Sequence, residues 1–283
     1  MCPQCRAFIS SDDKTCPYCN ETVGSRAASV RPQDAFSSMV PEHSTMTLMF
    51  LLLNVAFWVS SVIISANQGG GNNPIMDLDS RTLILLGGKW RPEILYGGQW
   101  WRLLTAGFLH GGAMHIVMNG MSLYQVGRHF EDFLGPVRLF LVYFIATICG
   151  FGLSLYSSGS LSVGASAAIA GLVGALYASS RFTGSPTAAG QKLYGYWTLG
   201  LLIVGFLGNW SNMMRIDNAA HIGGWVAGYL LITAAGFPGS NRSTREFVLR
   251  ILLIVAVAAT LLSFWKMGSF FIEKAPTSAY QRQ

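Results

Sequence analysis

Long stretches without a formal charge alternate along this chain with charged connections. Met46 to Ala66, Leu139 to Ser157, Leu161 to Ser180 and Leu193 to Trp210 contain no Asp, Glu, Lys or Arg. Each is close to the roughly 20 apolar residues that a helix, rising about 1.5 Å per residue, needs to cross the hydrocarbon of a bilayer. Two further runs are interrupted only by uncharged polar residues: Ala113 to Gly127 carries His115 and Asn119, and Asn218 to Phe237 carries His221. A seventh, Phe247 to Trp265, holds one basic residue, Arg250, near its start. The pattern predicts an all-α, polytopic membrane bundle of seven helices. The first run begins too late and is too long to be the apolar core of a cleavable signal, so the sequence predicts that it stays in the mature chain.

Composition agrees with a membrane solvent. Of the 283 residues 51% are hydrophobic and 11% charged, less than half the charged fraction of about 25% in an ordinary soluble domain. Basic residues set an expected orientation. With a cytoplasmic N-terminus, the inside connections hold Arg128, Arg138, Arg181, Lys192, Arg242, Arg245 and Arg250, whereas the short outside connections hold Arg215. This asymmetry places the N-terminus in the cytoplasm, Gln283 outside and the chain in a cell membrane. The net charge of +6 then reads as contact with the cytoplasmic leaflet, and no aromatic-basic patch suggests a nucleic-acid partner.

Four parts follow from these patterns. Residues 1–24 form a cysteine-rich head, 25–45 a Ser-, Arg- and Pro-bearing linker, 46–265 the membrane body and 266–283 a polar tail. In the head, Cys2, Cys5, Cys16 and Cys19 form two Cys-Pro-x-Cys knuckles ten residues apart. Two such pairs can place four thiolates around one zinc ion, closing all its positions, so the expected role is structural. Two disulfides are the other reading, disfavoured by a reducing cytoplasmic compartment. What the head docks onto is not legible. The long connection from Asn67 to Gly112 opens with Gln-Gly-Gly-Gly-Asn-Asn-Pro and ends in Gly-Gly-Gln-Trp-Trp-Arg-Leu-Leu. Paired tryptophans beside an arginine suit the headgroup boundary, so the loop is expected to sink partly into the outer leaflet. Cys149, alone in a predicted span, reads as a small packing residue.

Polar side chains are expensive inside a bilayer and are therefore functional candidates. The second, fourth and sixth runs all enter from the outside and carry their polar residues near their starts. His115 and Asn119 lie two and six residues in, Ser166 about five and His221 about three. At about 1.5 Å per residue these side chains share a level in the outer leaflet. A serine hydroxyl is a weak nucleophile until a neighbouring base takes its proton, and His221 is placed to be that base for Ser166. His115 and Asn119, four apart on one helix face, can donate to the oxyanion of a tetrahedral intermediate together with a backbone N–H near Ser166. No carboxylate lies near that level, so the expected unit is a Ser-His dyad, and nothing in the site calls for a catalytic cofactor. Gly164, Ala165, Ala167, Ala168, Gly171 and Gly174 face the possibility of close packing with Gly223, Gly224 and Gly228.

The run Trp101-Arg102, His110 with His115-xxx-Asn119, Gly127-xxx-Glu131-xxx-Gly135, Gly164-Ala165-Ser166 and Ala220-His221-xx-Gly224-xxx-Gly228 resembles the rhomboid family of intramembrane serine proteases. The resemblance covers roughly residues 46–237. It implies a six-helix core that cleaves other membrane proteins at their transmembrane segments, with Ser166 as nucleophile, His221 as general base and His115 and Asn119 on the oxyanion side. Residues 238–265 would then be a connection and an added seventh helix. Two positions differ from the family's usual residues: Ala167 stands where glycine is common, and Ala170 where an aromatic often stacks on the histidine. A catalytically inactive rhomboid-like adaptor that binds client transmembrane segments is the alternative, and a small transporter the third reading. The transporter is disfavoured by the scarcity of intramembrane carboxylates, Glu131 near an inner helix end being the exception.

Overall fold

The computed structural model describes residues 15–20, 44–69, 72–157, 159–182, 188–210, 216–235 and 243–274. Cys2 and Cys5, most of the linker, Arg215, Arg242 and the tail from residue 275 lie outside the described residues. The chain divides into two compact units, Met1–Glu42 and His43–Gln283. In the first, the backbone N–H of Asn20 donates to the Cys16 carbonyl at 2.9 Å. Asn20 takes a positive φ of 56°, a conformation Asn adopts more readily than most residues. Cys16 is buried at the start of that turn and Cys19 is exposed within it.

The second unit is helical. In chain order its helices are α1 (Thr45–Asn67), α2 (Ser80–Leu85), α3 (Arg91–Leu95), α4 (Arg102–Thr105), α5 (Ala113–Leu134), α6 (Pro136–Ser157), α7 (Ser166–Phe182), α8 (Ala188–Trp210), α9 (Asn218–Ala235) and α10 (Ser243–Lys274). The long helices α1 and α5 to α10 fall on the seven predicted runs. By length and apolarity α1, α6 and the part of α10 from Phe247 to Lys274 can each cross a bilayer. Shorter apolar stretches occupy Ser166–Ser180 of α7 and Lys192–Leu207 of α8.

α7 is the centre of the bundle, packed by α5, α6, α8 and α9. Its buried face is built from small residues, including Ala167, Ala168, Ala170, Ala175 and Ala178. Small side chains let neighbouring backbones approach, and dispersion between those backbones holds helices together where lipid supplies no hydrophobic drive. The closest approach is to α9. A Cβ on Gly224 would collide with the backbone of Ala167, and one on Gly228 with the backbone of Gly171.

Three expectations are corrected. α7 begins at Ser166, not near Leu161. Ser162, four residues before it, is tied to Lys89 by an isolated antiparallel bridge, and Ser166 stands at the helix start instead of about five residues inside. Cys149 is exposed on α6 and does not fill the core. Glu131 is not a spare intramembrane carboxylate. Its two oxygens accept from the N–H groups of Met46 at 2.9 Å and Thr47 at 2.8 Å and from the Thr47 hydroxyl at 2.7 Å. It thereby satisfies orphan donors in the first turn of α1, where the residue before the helix, Ser44, offers no side-chain cap.

The long connection between α1 and α5 is folded, with α2 to α4 and a 3-10 turn, Ala106–Phe108. Leu78, Leu83, Leu86 and Leu109 form its core against Phe57 and Val62 of α1 and Phe271 of α10. Arg102 is fully buried there. Its guanidinium donates to the Gln99 side chain at 2.7 Å and to the carbonyls of Ile84 at 2.5 Å and Gly88 at 3.2 Å. It also lies 4.8 Å from the Trp101 ring and 5.0 Å from that of Phe270, contacts that favour a cation. Burial pulls its pKa down to about 10, with Glu93 countering, so it stays charged at neutral pH.

Candidate active site

Four predicted residues lie towards the N-terminal ends of α5, α7 and α9. Ser166 is the first residue of α7 and is partly exposed. Its approach is set by Gly164, whose N–H donates to the Ala106 carbonyl at 2.9 Å and whose φ is +124°, a conformation that favours glycine. A Cβ there would lie 2.7 Å from His115 Nε2 and 3.4 Å from Asn119 Nδ2. The backbone just before Ser166 therefore runs directly beneath both side chains.

His221 is reached from the other side. Gly150 of α6 is the meeting point: a Cβ on it would lie 2.5 Å from the Ala220 carbonyl and 2.9 Å from the Ala167 side chain. The chain neighbours of His221 and Ser166 thus meet at one glycine. His221 is buried, and its Nδ1 has no hydrogen-bond partner.

The tautomer of His115 follows from a loop contact. Gly111 N–H donates to His115 Nδ1 at 3.3 Å, so in the neutral ring Nε2 carries the proton, and that atom faces Gly164. The His110 ring lies 5.1 Å from the His115 ring, tilted edge to face. Gly112 permits this loop: a Cβ on it would collide with the Met76 backbone, and Leu78 N–H donates to the Gly111 carbonyl at 2.8 Å. The constellation can supply a hydroxyl, an imidazole acceptor and two side-chain donors around one point. That is the inventory of acyl transfer.

Sequence reading finds no carboxylate at this level, yet Asp217 stands one residue before α9. One carboxylate oxygen accepts from Ala220 N–H at 3.0 Å, and the other takes the Ser154 hydroxyl of α6. It caps α9 one turn before His221, and an Asp immediately preceding an apolar run is the sequence signal that marks it. Lys89 is buried beside this region, its Nζ donating to the Ser160 carbonyl at 3.1 Å. Burial lowers its pKa, while the Asp217 carboxylate counters and Arg91 adds to the lowering.

Residues 97–237 match the Rhomboid domain. The chain is similar to RHOMBOID-like protein 4 of Arabidopsis thaliana, 36% identical over 168 residues, which is 58% of this chain and 41% of that protein. It is 30% identical to the Rhomboid protease GluP of Bacillus subtilis over 221 residues, 77% of this chain and 40% of that protein. Inactive RHOMBOID-like protein 8 of Arabidopsis thaliana is 32% identical over 165 residues, 56% of this chain and 45% of that protein. The chain thus spans less than half the length of each of these relatives. Taken with helices long and apolar enough to cross a bilayer, the matching domain and these relatives make this chain an integral membrane protein of the rhomboid family.

Proposed function

We propose that this protein is an intramembrane serine endopeptidase that cleaves transmembrane proteins with Ser166 and His221 as its dyad. The convergence of Ala167 and Ala220 on Gly150, with Gly164 beneath His115 and Asn119, is the observation that carries this reading. The Ser166 hydroxyl attacks the scissile carbonyl carbon as the His221 imidazole takes its proton. The carbonyl oxygen becomes an oxyanion that accepts from Asn119 Nδ2, His115 Nε2–H and a backbone N–H near Ser166. Collapse breaks the C–N bond, and His221 returns the proton to the leaving amine. Water, activated by the same imidazole, then hydrolyses the acyl-enzyme. The protease name of the Bacillus relative supports this chemistry.

Replacing Ser166 or His221 with alanine is expected to abolish cleavage of a reporter transmembrane substrate in liposomes, with the double variant no worse, because the pair acts as a unit. Labelling by a fluorophosphonate probe should be lost in Ser166→Ala. Full turnover by well-folded Ser166→Ala would refute Ser166 as the nucleophile, whereas a natural protein that binds the transmembrane segment without cleaving it would leave the adaptor, a role consistent with the relative named inactive.

Two further parts of the reading concern the rest of the chain. We place the N-terminus in the cytoplasm and Gln283 outside, on the asymmetry of basic residues in the connections. Reporter fusions at the two ends should lie on opposite sides, and equal sides would refute it. We also infer that Cys2, Cys5, Cys16 and Cys19 hold one structural zinc, supported by the spacing and by the turn from Cys16 to Asn20.

A further inference from the structure

Behind His221 the bundle does not close. A cavity of about 170 Å³ lies between α7, α8 and α9, lined by Ala170, Thr198, Leu201, His221, Ile222 and Trp225. Ala170 is buried and ends at its Cβ, leaving space beside the imidazole. The other polar groups on the wall are engaged: Trp225 Nε1 donates to Thr198 Oγ1 at 2.9 Å, and Thr198 Oγ1 donates to the Tyr194 carbonyl at 2.8 Å. What remains is an apolar lining with one imidazole.

Its mouth opens onto an exposed apolar surface. Ile222, which lines the cavity, is 47% exposed, and exposed Val226 and Leu230 continue the same surface along α9. Leu199 and Ile203 do so on α8. We propose that this cavity is a binding site for the end of a lipid acyl chain, which enters between α8 and α9 and lies against His221. Apart from the imidazole, whose Nδ1 has no partner, the polar groups of the wall are satisfied; one imidazole is fewer than the roughly two to four partners a buried water takes, and a cavity of about 150 Å³ with apolar walls stays dry yet takes an apolar guest. An empty cavity forfeits dispersion along its whole wall. On a bilayer-facing seam the abundant apolar molecule is the acyl chain, and its flexibility suits an irregular space. The site does not depend on whether Ser166 cleaves anything.

Tryptophan emission reads occupancy directly, because Trp225 lines the cavity. The full chain is reconstituted in phosphatidylcholine vesicles with or without bromine on the acyl chains, and the Trp225 share is isolated by subtracting Trp225→Phe. Bromine is expected to quench most of that share in the natural protein. Ala170→Leu and, from the opposite wall, Leu201→Phe fill the space and are expected to lose most of the quenching. Either variant suffices if the other fails to fold by thermal unfolding. An unquenched Trp225 in the natural protein overturns the proposal. Quenching that survives both fillings also overturns it, because the lipid then touches only the outer surface. Recovery of emission on adding a transmembrane peptide would assign the cavity to substrate instead.

Discussion

At the scale of single residues, Gly164 has the narrowest tolerance. Alanine there would meet both a positive φ and the imidazole of His115 at 2.7 Å. Gly164→Ala is expected to cost about 1–3 kcal/mol in thermal unfolding. By moving His115 it should also lower kcat more than it raises KM. An unchanged Tm and kcat would show that the loop relaxes freely. Ser166, His221, His115 and Asn119 are legible in the sequence as candidates because each is a polar exception in an apolar run, and such exceptions are costly in lipid. Gly164 was legible as a small residue but not as a left-handed one. Its conformation is imposed by a hydrogen bond to Ala106, far away in the chain. Asp217 is not such an exception, because it lies immediately before the run from Asn218 to Phe237 and not within it.

At the scale of elements, helix existence was legible and one helix start was not. Residues 161–165 are as apolar as the helix they precede, so hydropathy extends α7 backwards. The bridge from Lys89 to Ser162 stops it, and no local signal announces a partner in a distant loop. α2 shows the opposite case, a start written locally. Its N-cap Asp79 accepts from Thr82 N–H at 2.8 Å and from the Ser65 hydroxyl of α1 at 2.7 Å. Burial raises the Asp79 pKa, but the hydrogen bonds from Thr82 and Ser65 outweigh it and hold the carboxyl below its ordinary value. A folded-state pKa below the unfolded one contributes stability that is present above the ordinary carboxylate range and lost as pH falls through it. Between about pH 6 and about pH 3, spanning the usual Asp range, the Tm of the natural protein is therefore expected to fall more than that of Asp79→Asn. Equal falls would place the acid sensitivity elsewhere.

At the scale of the whole molecule, the two compact units answer to different physics. The unit from His43 to Gln283 is held by helix packing in lipid. The short head has too few residues to bury a core and is expected to need its metal. Purified protein should carry about one zinc per chain, lost on Cys16→Ser together with the fold of the head but without loss of the membrane unit's Tm. Metal-free protein with all four head thiols open to alkylation would refute this. The capping of α1 by Glu131 also bears on how the chain is made. Met46 and its partner on α5 are 85 residues apart. At about 5–20 residues per second the ribosome needs roughly 4–17 seconds to deliver that carboxylate after α1 has emerged. For that interval the first helix of the bundle waits with its leading amides unanswered, and its final seating belongs to a later moment of synthesis than its insertion.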